Sequence, residues 1–87
     1  MLQSMNPEEV LTSLILSLVD CPEQVSVDAH VNEHVAVFTV SCADEDVGKL
    51  LGKHGAYANA IRTLFTAVYG KLGKQLTFHV VDPRTRH

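Results

Sequence analysis

Val10, Leu11, Leu14, Ile15, Leu18 and Val19 recur at the spacing of one helix face. The residues before them, Asn6-Pro7-Glu8-Glu9, read as a helix start. Asn6 can cap, Pro7 suits the first helical position, and two acids sit at the positive end of the dipole. Asp20-Cys21-Pro22 stops this helix, because a residue before proline leaves the helical region. The pattern then changes period. From Gln24 to Val31, Val25, Val27, Ala29 and Val31 alternate with Gln24, Ser26, Asp28 and His30, which predicts a half-buried strand. Asn32-Glu33-His34 is a turn, and Val35 to Cys42 is a second strand that pairs with the first as an antiparallel hairpin. Helical spacing returns over Ala43 to Leu51, with Asp44, Glu45 and Asp46 in the first turn. It returns again over Ala56 to Tyr69, where Ala58, Ile61, Phe65 and Val68 form a core stripe with Leu64 beside them. Gly70 or Gly73 ends that helix. Lys74 to Val81 is a last strand with Leu76, Phe78 and Val80 on one face, stopped by Asp82-Pro83.

The predicted order is α-β-β-α-α-β. Two helices join the second and third strands, so those strands pair in parallel through a right-handed crossover. The expected architecture is α+β: a three-stranded mixed sheet with helices packed on one face. No repeat or linker divides the sequence, so residues 1–87 read as one domain, with a core of about 7–82 and a frayed basic tail at 83–87.

Apolar residues make up 46% of the chain without any Trp, so the core is built mainly from Val, Leu, Ile and Ala. A chain this short folds with a modest stability margin. No basic residue precedes the short apolar run Leu14 to Val19, and no segment is long enough to span a bilayer, so a cytoplasmic location is expected. Cys21 and Cys42 lack metal-type spacing and read as reduced, partly buried thiols. His30 and His34 bracket the hairpin turn, but nothing completes a metal site, and no cofactor is called for. Net charge is −3, and its distribution is uneven. Residues 1–47 hold nine acids and no Lys or Arg, while residues 48–87 hold all seven cations and one acid. Either the halves separate in space and leave a basic face, or they interleave and cancel.

The most informative stretch is Val47 to Ile61, VGKLLGKHGAYANAI. Helical patterns run into and out of Gly52-Lys53-His54-Gly55. Two glycines permit a sharp turn and remove side chains that would block a ligand. Helix, G-x-x-G, helix is the device by which KH domains clamp a single-stranded nucleic-acid backbone. With LVDCPEQV at 18–25, VGKLLGKHG at 47–55, ANAIRT at 58–63 and GKQLTFHVVD at 73–82, the chain resembles the type II KH domain. More closely, over about residues 8–82, it resembles the small bacterial single-KH proteins of the KhpA (YlqC-like) family. That resemblance implies a cytosolic RNA-binding protein that forms homodimers, pairs with a larger KhpB (Jag-like) protein and takes part in RNA regulation or chaperoning. One departure stands out: the position after the second glycine, often basic in the family, is Ala56, followed by Tyr57.

By that resemblance Gly52 and Gly55 let the loop backbone approach phosphates, with amides near the start of the following helix donating. Lys53 supplies a point charge. His54 either donates to phosphate, stacks near a sugar or is a surface histidine. Val47, Leu50 and Leu51 lie on the helix entering the loop, where one or two offer an apolar floor to bases and at least one joins the core. Lys49 and Arg62 extend the basic rim or are ordinary surface cations, and Asn59 is a polar groove contact. Tyr57 stacks a base or lines a dimer contact. The leading function is single-stranded RNA binding, and the alternative is a dimerisation or partner-holding module. An enzyme is not expected: Gly48 to His54 fails the phosphate-loop pattern, with three residues between Gly48 and Gly52 and His54 where a hydroxyl belongs.

Overall fold

The computed structural model describes residues 6–81. Helix α1 spans Pro7–Leu18, a short 3-10 turn covers Pro22–Gln24, and strands β1 (Ser26–Val31) and β2 (Val35–Ser41) follow. The long helical span α2 (Asp44–Lys71) leads to strand β3 (Gln75–Val80). The sheet order is β1-β2-β3, with β1 antiparallel and β3 parallel to the central β2. This is the expected α+β architecture. The anticipated end at Asp82-Pro83 and the tail 83–87 lie outside the described residues.

Asn6 opens α1 as its sequence suggests. Its side chain accepts from the Glu9 amide at 2.9 Å, and the Glu9 carboxylate accepts from the Asn6 amide at 3.2 Å, so two otherwise orphaned donors are satisfied. Helical geometry ends at Leu18, and Val19 is already extended while still buried. Gln24 was expected in the first strand. It lies instead in the 3-10 turn, where its amide donates to the Cys21 carbonyl and Pro22 fixes the first position. In the Asn32-Glu33-His34 turn, Asn32 Oδ1 accepts from the amides of His34 and Val35, a local side-chain turn that sets the hairpin register. Gly73, at φ +75, closes the far end of α2.

The core lies between one sheet face and the helices. Ala36, Phe38 and Val40 of β2 and Phe78 and Val80 of β3 are buried against Leu11 and Ile15 of α1 and against Leu50, Ala58, Ile61, Phe65 and Tyr69 of α2. Tyr69 joins the predicted stripe by setting its ring 5.8 Å from that of Phe38. Leu64, placed beside that stripe by spacing, points outward and is 52% exposed. The opposite sheet face carries Asp28, His30, Thr39, Thr77 and His79, and among the described residues no helix covers it.

Candidate nucleic-acid interface

The two helices predicted on either side of the glycine loop form one hydrogen-bonded span of 28 residues. That span is not straight. At a rise of about 1.5 Å per residue it would measure about 42 Å if straight, whereas the molecule extends 33 Å along its longest principal axis. The bend is at His54 and Gly55, whose φ values are 63° and 72°. Two consecutive left-handed residues cannot continue a right-handed helix. The span is therefore two limbs, 44–53 and 56–71, meeting at the GKHG corner. Gly55 accepts this conformation freely, whereas His54 carries a side chain at a position that costs about 1–2 kcal/mol. Strain of that kind is retained where surrounding contacts impose it.

Those contacts are visible. The Asn59 amide Nδ2 donates to the His54 carbonyl at 3.0 Å, across the corner. Arg62 Nη1 donates to Asn59 Oδ1 at 2.6 Å, and its Nη2 donates to the Phe78 carbonyl at 3.2 Å. The guanidinium also lies 5.8 Å from the centre of the Phe78 ring. A chain of three hydrogen bonds thus ties the strained corner to the edge strand β3.

A groove of about 500 Å³ runs beside the corner, lined by Glu45, Gly48, Lys49, Gly52, Ala56 and Tyr57. Gly48 and Gly52 have helical φ, and a β-carbon added to either would meet nothing within 4 Å. Neither turn geometry nor internal packing calls for glycine there, although each costs about 1 kcal/mol relative to alanine in a helix. Their effect is to leave bare main chain along the groove.

A family model described as KhpA/KhpB, KH domain, matches residues 8–80. The chain belongs to the KhpA/KhpB KH-domain family. It is 42% identical to the RNA-binding protein KhpA of Treponema pallidum over 75 residues, which are 86% of this chain and 94% of that protein. It is 35% identical to the RNA-binding protein KhpA of Clostridium acetobutylicum over 74 residues, 85% of this chain and 99% of the relative. The Listeria monocytogenes protein of the same name is 35% identical over 75 residues, 86% of this chain and 99% of that one. No solved structure matches the chain significantly.

Within this KhpA/KhpB-family domain, the sequence-predicted site residues divide by environment. Gly52, His54 and Gly55 form the corner, with the His54 side chain exposed. The side chain of Lys53 lies outside the described residues. Val47 is buried, as is Leu50, while Leu51 is half-buried against the core. Asn59 and Arg62 are held together in the brace. Lys49 is paired with Asp20 at 3.0 Å, and that hydrogen bond, with the charges of Asp20 and Asp46, raises its pKa against the opposing effect of desolvation. Tyr57 is 46% exposed on the groove wall.

Sequence reasoning placed Asp46 only in a helical first turn. The structure gives it a larger part. It is fully buried, and its two carboxylate oxygens accept from the amides of Asp20 at 2.9 Å and Cys21 at 3.0 Å. Asp46 is the third residue of α2, whose N-cap, Ala43, has no side chain able to cap. The carboxylate that would close a capping box instead fixes the segment leaving α1, and with it the base of the limb that carries Gly48 and Gly52. No helix among the described residues is long and apolar enough to cross a membrane. No group of three or more metal-ligating side chains occurs among them.

Proposed function

We propose that this chain binds single-stranded RNA at the GKHG corner. The observation that carries the reading is the corner itself: a braced, left-handed turn exposing His54, beside a groove floored by bare glycine backbone. Family membership and the relatives named RNA-binding proteins support it. In this reading the amides beginning the second limb and the Lys53 ammonium hold a phosphodiester, and about four nucleotides lie along the domain. The protein acts by binding alone, in the cytoplasm, as a regulator or chaperone of RNA. A second copy of the chain places two grooves on one strand and raises avidity through effective concentration. A larger KhpB (Jag-like) protein is the further partner proposed.

The test is the paired charge reversal Lys53→Asp and His54→Asp. RNA retention is expected to be lost while far-ultraviolet circular dichroism stays unchanged. Undiminished retention would refute the corner's role. The alternative, a protein-interaction module, is favoured by the exposed apolar side chains Tyr57, Leu64 and Leu72 on the second limb and its cap. Recovery of partner or second copy from nuclease-treated lysate, with no RNA retention by the isolated protein, would select it.

A further inference from the structure

The two edges of the sheet are treated differently. On β3 the Arg62 guanidinium takes the outward Phe78 carbonyl at 3.2 Å. On β1, among the described residues, nothing plays that part. The Asn32 amide donates to the Val35 carbonyl, which fixes the phase of the β1–β2 ladder. In an antiparallel pair the bonded and non-bonded positions alternate. In this register Ser26, Asp28 and His30 therefore bond inward to Ser41, Thr39 and Val37. The amides and carbonyls of Val27, Ala29 and Val31 point out of the sheet. Open strand edges are ordinarily blunted by Lys, Pro or a bulge. Ser26–Val31 has none of these and pairs with β2 without a break. Val31 lies on the core-facing side and is nevertheless 40% exposed.

We propose that this edge is a homotypic interface: β1 pairs antiparallel with β1 of a second copy, with Ala29 on the twofold axis, and joins the two sheets edge to edge. The strand reads V-D-A-H-V over residues 27–31, and that sequence is complementary to itself. With Ala29 opposite Ala29, Val27 faces Val31 of the second copy and Asp28 faces His30 of the second copy, and each unlike pair occurs twice. The outward groups at 27, 29 and 31 meet those at 31, 29 and 27, and because each such pair exchanges two bonds, about six hydrogen bonds form. On the core-facing side the exposed Val31 gains a cross-strand valine. On the open face both Asp28 and His30 are exposed. The carboxylate only accepts, and an imidazole has a ring N–H to donate in either charge state. Other registers lose these matches. A slip of one residue turns the bonding groups away from each other, and a slip of two sets Asp28 against Asp28 or His30 against His30. The contact is isologous and closes on itself as a dimer. The Asn59–Arg62 brace ties the GKHG corner to β3, at the other edge, so the pairing leaves the corner open. The inference gives the second copy in the reading above its surface, and does not depend on RNA.

The experiment is sedimentation velocity on the full, nuclease-treated chain, from micromolar to millimolar protein. One paired strand is a smaller contact than the interface of a stable dimer, about 1,200–2,000 Å², so a weak, concentration-dependent dimer is expected. His30→Glu sets two carboxylates opposite each other twice per dimer and is expected to weaken association about tenfold. Adding Asp28→Lys to it restores an unlike pair and is expected to recover most of that loss. Ala29→Pro removes an amide that points out of the sheet, a place where an edge strand tolerates proline, and is expected to abolish the dimer. Circular dichroism and thermal melts confirm that each variant folds; should Ala29→Pro not fold, the charge exchange decides alone. A chain that stays monomeric at every concentration overturns both this inference and the second copy proposed above, and leaves RNA binding at the corner intact. A dimer lost in Leu64→Asp but unchanged in Ala29→Pro and His30→Glu assigns association to the exposed side of the second limb and overturns the edge alone. Weakening by His30→Glu without recovery in the double variant overturns the pairing with Ala29 on the axis.

Discussion

Replacing Asp46 with alanine should cost this domain a large part of its stability. The side chain is fully buried and holds two main-chain amides, at 2.9 and 3.0 Å, from the segment that follows α1. A hydrogen bond to a charged group contributes about 1.5–3 kcal/mol net. Asp20 is at the surface and Cys21 is half-buried, so water recovers part of what truncation removes. The expected loss is about 2–4 kcal/mol, combining two such bonds with partial resolvation. A domain of 87 residues has a total stability of about 4–13 kcal/mol at the usual 0.05–0.15 kcal/mol per residue. At about 4–8 °C per kcal/mol for a chain of this size, the melting temperature should fall by roughly 10–25 °C.

The measurement is urea and thermal unfolding of Asp46→Ala and Asp46→Asn, followed by circular dichroism. Asp44→Asn and Glu45→Gln serve as controls, since they remove charge from the same helical turn without breaking a hydrogen bond to a main-chain amide of the α1 segment; the Cys21 thiol donates to Glu45 Oε2 at 3.9 Å, and a glutamine side chain still offers it an oxygen. Their cost should be limited to the helix-dipole contribution, about 0.3–1 kcal/mol. Asp46→Asn keeps one acceptor oxygen but turns a donor toward an amide, so it should fall between the controls and alanine. A melting shift for Asp46→Ala no larger than that of the two controls would mean that the buried bonds contribute only through the dipole, and would refute the reasoning.

Arg62→Ala and Asn59→Ala should each weaken RNA binding several-fold while leaving the salt dependence of affinity unchanged. A direct phosphate contact would instead flatten the plot of log K against log salt by about 0.7 per contact on single strands. Gly55→Ala should cost about 1–2 kcal/mol in stability because φ there is 72°. Gly52→Ala should leave stability unchanged or raise it by up to about 1 kcal/mol and still reduce RNA retention, and a stability loss at Gly52 equal to that at Gly55 would contradict this. Burial, followed by the charges of Glu45, Asp46, Glu23 and Asp20, raises the Cys21 thiol above its ordinary value of 9.0. Alkylation of Cys21 by iodoacetamide at pH 8 should therefore be slower in folded than in urea-unfolded protein, with the folded rate rising as pH passes above that value; equal rates would refute it.

What could be read from the sequence was what depends on near neighbours. The Asn6–Glu9 capping box, the alternation of β1 at Val27 and Ala29 and the Ala58–Ile61–Phe65 stripe are all set by spacings of a few residues, and each recurs in the structure, whereas Val31, placed on the same face by the alternation, is exposed at the strand's end. The parallel pairing of β2 with β3 followed from handedness once two helices were placed between them. Asp46 was legible only as a first-turn acid, because its partners are main-chain amides 26 and 25 residues earlier. Every residue carries an amide, so no side-chain type marks the pairing. The uncapped Ala43 was the one available hint. The roles of Asn59 and Arg62 were similarly hidden: their exposure suits a surface contact, while their actual partners are two carbonyls, one inside the corner and one on the edge of β3.

The same hydrogen bonds change how the uneven charge of the chain should be understood. Counted along the sequence, the second half is strongly basic. In three dimensions several of those cations are already engaged. Lys49 meets Asp20 from the acidic half, Arg62 reaches the Phe78 carbonyl, and Lys74 donates to the Asn32 carbonyl at 2.6 Å. Each is drawn into holding the fold, where its charge is partly spent on a neighbour. A polyanion approaching the corner therefore meets less positive potential than composition suggests. The absence of a cation at Ala56 points the same way. In the proposed RNA reading, recognition draws more on main-chain amides, on the shape of the bare Gly48–Gly52 surface and on stacking than on steering by charge. Such a site gains little from added cations far from the corner, and depends closely on the geometry of the corner. That is why the Asn59–Arg62 brace, which holds the corner and not the ligand, should matter as much to binding as any side chain that touches RNA.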